Sequence, residues 1–133
     1  MKALIFSSIL AATLITSPMI AMAAPRVLTP AEKGMIKHTV GEELVDPDGA
    51  EYQFGPDQTN TSRYCSIVNT KNHMGGYTGY APFKVEVVRD GRGHITETSG
   101  GLIMDGESSE SLKLLFQKIN LDYCHEHGFK ISY

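Results

Sequence analysis

Phe83-Lys84-Val85-Glu86-Val87-Val88-Arg89-Asp90-Gly91-Arg92-Gly93-His94-Ile95-Thr96-Glu97-Thr98 is the stretch on which the fold turns. Phe83, Val85 and Val87 alternate with Lys84 and Glu86, the period of a strand with one buried face. Arg89 to Gly93 follows with Asp-Gly at its centre, the signature of a hairpin turn. His94 to Thr98 then reads as the returning strand. Upstream, Ser62 to Asn69 reads as a further strand, with Tyr64, Ser66 and Val68 on one face and Cys65 and Ile67 on the other. Glu51-Tyr52-Gln53-Phe54 is a shorter one, and Gly55 to Thr61 is a polar loop. Consecutive strands joined by short turns predict an antiparallel meander.

A helix is expected on either side of these strands. Thr29-Pro30-Ala31-Glu32 is a helix start: Thr29 caps, Pro30 suits the first turn and Glu32 completes a capping box. This helix is expected to run to about Val45, with Ile36, Val40 and Leu44 on its apolar face, and Asp46-Pro47-Asp48-Gly49 ends it. A second helix is expected from Ser108 or Ser109 to about Glu126. Leu112, Leu115, Phe116, Ile119 and Tyr123 form its apolar stripe, which predicts the face turned to the core. Residues 24–28 read as an unstructured lead-in, and Phe129 to Tyr133 as a short strand or a tail. The fold class is therefore α+β: an antiparallel meander sheet of three to four strands flanked by an N-terminal and a C-terminal helix, with one disulfide.

The disulfide follows from the start of the chain. Lys2, the apolar run Ala3 to Ile15, Pro18 and then Ala21-Met22-Ala23 have the order of parts of a cleavable secretory signal peptide over residues 1–23. The run is shorter than a membrane span and ends at a helix breaker. No cysteine lies near the cut, so lipidation is not expected. Residues 24–133 remain as one α+β domain, and losing Lys2 takes the formal net charge from −3 to −4. A mildly acidic chain disfavours nucleic acid and anionic membranes as partners. In an oxidising compartment Cys65 and Cys124 are expected to pair.

Residues 64–83 are unusually dense in glycine, tyrosine and asparagine. One reading makes this segment a tight hairpin connection, with glycines at bulges and tyrosines padding the sheet. The other makes it a binding surface built from Asn69, Lys71, Asn72, Tyr77 and Tyr80. It carries no phosphate-binding glycine pattern. Asp46-Pro47, Ala50, Tyr52, Tyr64-Cys65, Val68-Asn69, Lys71-Asn72 and Gly75-Gly76-Tyr77-x-Gly79-Tyr80-x-x-Phe83 together resemble a group of small exported proteins of proteobacteria. Their pattern runs roughly Asp-Pro-x-x-Ala, then Cys-Gly-x-Val-Asn-x-Lys-Asn and Gly-Gly-Tyr-x-Gly-Phe. The resemblance covers about residues 44–83. Ser66 stands where the group usually has Gly, and Gly49 where it often has Ser. It implies a bacterial periplasmic origin and carries over no catalytic residue.

Catalytic spacings are scarce. His125-Glu126-His127 places two imidazoles two residues apart, which a helix points in nearly opposite directions, so no metal site is expected. No nucleophile elbow is present. Glu86 and Glu97 on neighbouring strands are a candidate carboxylate pair, and equally a solvated face. No cofactor is implied. Two functional readings remain: a periplasmic or secreted interaction module that binds a protein or cell-envelope component, and a small envelope-acting hydrolase using His73 or His94 beside a carboxylate.

Overall fold

The computed structural model describes Ser17, residues 24–101 and residues 109–133. The signal peptide expected over residues 1–23 lies outside the described residues, but for Ser17.

Thr29 caps helix α1 (Pro30–Gly41) as its sequence predicts. Its hydroxyl accepts the Glu32 N–H at 3.3 Å, and the Glu32 carboxylate accepts the Thr29 N–H at 2.7 Å. The helix ends four residues before the expected Val45. Glu43 N–H bonds to Val40 O and Leu44 N–H to Gly41 O, tightening the last turn. Pro47 packs on Gly41, where a Cβ would come within 3.2 Å of it. Leu44 is buried all the same, outside the helix.

Four antiparallel strands pair in chain order: β1 (Glu51–Gln53), β2 (Arg63–Lys71), β3 (Tyr77–Arg89) and β4 (Ile95–Gly101). β3 starts six residues earlier than the Phe83 alternation suggests, so Tyr77 to Pro82 is strand. Tyr64 pairs with Val85 and Ser66 with Phe83, which puts these four on one face. Ile36 and Val40 of α1 join Tyr64, Phe83 and Val85 in the core there. Cys65 pairs with Lys84 on the opposite face. Cys65 is bridged to Cys124, with the Cα atoms 5.9 Å apart, and this pins α2 (Glu110–Glu126) to that face. Among the described residues, no helix is long and apolar enough to cross a membrane.

The stripe predicted to turn α2 inward does so only in part: Tyr123 packs against the core and Phe116 is half-buried, but its other members face out. Leu112, Leu115 and Ile119 are 47%, 51% and 45% exposed, while Asn120 and Cys124 are buried. The bridged Cys124 lies on the inward face of the helix. Positions four residues apart share a face with Cys124, and Leu112, Leu115 and Ile119 lie about a third to a half of a turn from it. The tail beyond α2 forms no strand, but Phe129 is buried edge-on to Tyr64 with ring centroids 5.9 Å apart.

The lead-in and the polar loop are also more ordered than expected. Arg26 and Asp57 exchange backbone bonds of 3.1 and 2.8 Å, and Leu28 is buried. Asp57 is wholly buried. Arg89 grips both its oxygens at 2.7 and 2.9 Å, and Arg26 reaches it at 3.1 Å. Arg89 also donates to the carbonyls of Gln58, Thr61 and Gly93. Arg26 further pairs with Glu32, whose carboxylate accepts the Ile95 N–H at 2.7 Å. Two arginines and two carboxylates thus clasp the segment before α1, α1 itself, the polar loop and the β3–β4 turn.

Burial alone would raise the Glu32 carboxyl, but the Arg26 guanidinium and the N–H groups of Thr29 and Ile95 outweigh it and hold it at about 2. A carboxyl held below its unfolded value contributes stability that is full above that value and is lost as pH falls through the folded one. The midpoint of urea unfolding is therefore expected to drop between about pH 4.5 and pH 2. Glu32→Gln is expected to be less stable at neutral pH and to flatten this part of the profile. An equally steep profile in the variant would remove Glu32 from the explanation.

Candidate functional site

The β2–β3 connection is a closed turn at the end of a projecting arm. Asn72 Oδ1 accepts the N–H groups of Met74 and Gly76, both at 3.0 Å. The Asn72 backbone bonds to Gly76 and Gly75, and Gly75 takes the positive φ of 80° that the turn requires. Met74, at the tip, is 94% exposed. A register shift falls between Asn69 and Lys71, so the glycine-rich hairpin does contain a bulge.

The arm is latched to the loop before β1. The Tyr77 hydroxyl donates to Gly49 O at 2.9 Å. The Lys71 ammonium lies 5.2 Å from the centre of the Tyr77 ring and 3.7 Å from Asp46 Oδ2. Asn69 accepts the Gly79 N–H at 3.0 Å and donates to Glu51 Oε2 at 3.3 Å. Lys71 and Tyr77 are thus brought together against Asp46 and Gly49, while Asn72 closes the turn and Asn69 braces the strand beside it. Tyr80 pairs with Asn69 in register, but lines a separate groove with Lys113 and Phe116 of α2.

Sequence reasoning left Asp46, Gly49 and Met74 out of the site. The Asp46-Pro47-Asp48-Gly49 turn was legible, but its contact with a tyrosine 28 positions on was not. Gly49 has little room: a Cβ there would lie 2.5 Å from Asp46 Oδ2 and 3.1 Å from Lys71 Cδ. Ser66, the other departure from the resembled pattern, is buried, with its hydroxyl bonding Gln53 O and accepting the Gly55 N–H.

The histidines are dispersed. His73 is exposed in the arm turn. His94 Nδ1 lies 3.5 Å from Asp90 Oδ2 in the β3–β4 turn. Asp90 Oδ1 accepts the N–H groups of His94 and Arg92, and these bonds hold the Asp90 carboxyl below its usual range. His125 Nε2 is 3.0 Å from Ile131 O, and His127 Nδ1 is 2.8 Å from Tyr123 O, at the end of α2. Glu86 pairs with Arg63 at 2.5 Å, and Glu97 stands opposite Val88 rather than opposite Glu86.

No family model, curated protein or solved structure matches the chain.

Asn72→Ala removes both acceptor bonds of the turn while leaving the strands intact. Amide exchange at Met74 and Gly76 is expected to quicken by at least tenfold, with the β3–β4 ladder unchanged. Unchanged exchange at the tip would show that the glycine backbone alone fixes the turn.

Proposed function

We propose that this protein is an exported interaction module, which binds a protein or cell-envelope component through the β2–β3 arm. The observation that carries the reading is the latched tip: exposed Met74 and Tyr77 on a turn held in one shape by Asn72 and Gly49. A surface ordered before binding loses little entropy on association, and tyrosine supplies contact area with few rotamers. The buried Cys65–Cys124 bridge supports an oxidising destination, periplasmic or secreted. So do the signal-like residues 1–23 and the resemblance to exported proteobacterial proteins. The expected cut after Ala23 spares Arg26, the first residue of the clasp.

The module is preferred to a hydrolase because the His94–Asp90 pair sits in an exposed turn and the Asp90 carboxylate already serves that turn. Affinity capture from cell-envelope extract tests the reading. Wild type is expected to recover a partner in stoichiometric amount, and Tyr77→Ala with Tyr80→Ala is expected to lose it. Equal recovery by the double variant would refute the arm as the binding surface. Turnover of an envelope polymer that disappears with His94→Ala would favour the hydrolase.

A further inference from the structure

The groove that Tyr80 lines lies at the root of the arm, between the paired ends of β2 and β3 and the N-terminal half of α2, and holds about 180 Å³. Its helix wall runs against the amphipathic pattern of α2. Glu110, Lys113, Gln117 and Asn120 fall on one face of that helix, in line with the bridged Cys124. This polar row borders the groove, while Leu112, Leu115 and Ile119 are about half exposed. A helix packed for stability alone would bury its leucines and give the polar row to water. Local rules broken in this way gather at functional sites.

Asn120 is buried and closes the inner end, so it is not on offer to a ligand. Lys113 and Gln117 are half-buried and Glu110 is exposed, and their side chains make no ion pair or hydrogen bond among the described residues. On the strand wall the exposed Thr78 hydroxyl donates to Thr70 O at 3.2 Å, which leaves its oxygen a lone pair to offer. The half-buried rings of Tyr80 and Phe116 complete the lining. The groove therefore presents donors and acceptors side by side, one cation and one carboxylate that cancel, and aromatic surface.

We propose that this groove binds an uncharged saccharide unit. A sugar hydroxyl both donates and accepts, so a ring carrying several can satisfy Lys113, Gln117, Glu110 and Thr78 without bringing net charge into the groove. The apolar C–H face of the same ring packs against an aromatic side chain, the part that Tyr80 supplies. The volume is below the about 300–1,000 Å³ typical of drug-sized ligands, so one ring enters and any further units lie outside.

The test is an amide-shift titration of the isotopically labelled mature protein with cellobiose and with chitobiose, beside the zwitterion Ala-Ala and the plain ring alcohol cyclohexanol. One or both disaccharides are expected to give saturable shifts centred on Thr78, Tyr80, Lys113 and Gln117, and the two controls none. The corresponding hexasaccharides separate the sources: undiminished affinity identifies a unit held within a glycan, and lost affinity a free small sugar. Gln117→Leu and Lys113→Met are each expected to weaken binding about tenfold, with the spectrum away from the groove unchanged. Gln117→Leu is also expected to keep any partner captured through the arm, so this site and that surface fail separately. No saturable shift from either disaccharide, an equal response to Ala-Ala or cyclohexanol, or full affinity in both variants would overturn the proposal.

Discussion

Arg89→Met is expected to cost about 3–5 kcal/mol of folding stability, read as a large drop in the urea midpoint at pH 7. The reason is Asp57. Its carboxylate is wholly buried and takes two bonds from Arg89, at 2.7 and 2.9 Å. Methionine preserves much of the side-chain volume but leaves that charge with Arg26 alone, at 3.1 Å. It also strips the carbonyls of Gln58, Thr61 and Gly93 of the donors that tie the polar loop to the β3–β4 turn. A loss of this size is a large fraction of the roughly 5–15 kcal/mol that holds a small domain together. Adding Asp57→Asn is expected to return part of it, because the uncompensated charge is then gone. A loss below about 1 kcal/mol for Arg89→Met, the scale of a surface pair, would mean that water reaches the clasp.

Removing the bridge is the second large effect. Cys65→Ala with Cys124→Ala opens a loop with a sequence separation of 59 and is expected to cost about 2–4 kcal/mol. The damage is expected to concentrate in α2. That helix turns Asn120 and Cys124 inward and leaves Leu112, Leu115 and Ile119 about half exposed, so the bridge does work that an apolar stripe would otherwise do. Amide exchange along α2 is expected to quicken far more than along β2 and β3. Thiol titration of the denatured, unreduced wild type is expected to find no free thiol. Two titratable thiols, or a uniform loss of protection in the double variant, would contradict this role for the bridge.

The features legible in the sequence were those with local or periodic causes. The Thr29 capping box, the Phe83–Val87 alternation and the Asp90-Gly91 turn each declare themselves within a few residues. The pairing of Cys65 with Cys124 followed from there being only two cysteines and from the expectation of an oxidising compartment. What escaped depends on contacts between distant positions. Nothing near Asp57 says that it will be buried, because its partners come from Arg26 and Arg89. The α2 stripe has helical periodicity, but the face turned inward is centred on Asn120 and the bridged Cys124, with only Phe116 and Tyr123 of the stripe half-buried beside it. β3 begins at Tyr77 despite Gly79 and Pro82 because β2 supplies a partner as far as Lys71. In the site, only Lys71 and Tyr77 of the residues singled out meet around Gly49; Asn69 bonds Gly79 and Glu51, Asn72 closes the turn, and Tyr80 lines another groove. Asp46 and Gly49 were missing because the latch closes across 28 positions through a backbone carbonyl.

The central claim is that the latched arm is the surface that meets a partner. Its most direct measurement is a photo-crosslinking amino acid placed at Met74, illuminated in cell-envelope extract beside a control placed at Arg92 in the β3–β4 turn. The account predicts one discrete adduct from position 74, none from position 92, and loss of the adduct when Tyr77→Ala is added. No adduct from position 74, or the same adduct from both positions, would contradict it.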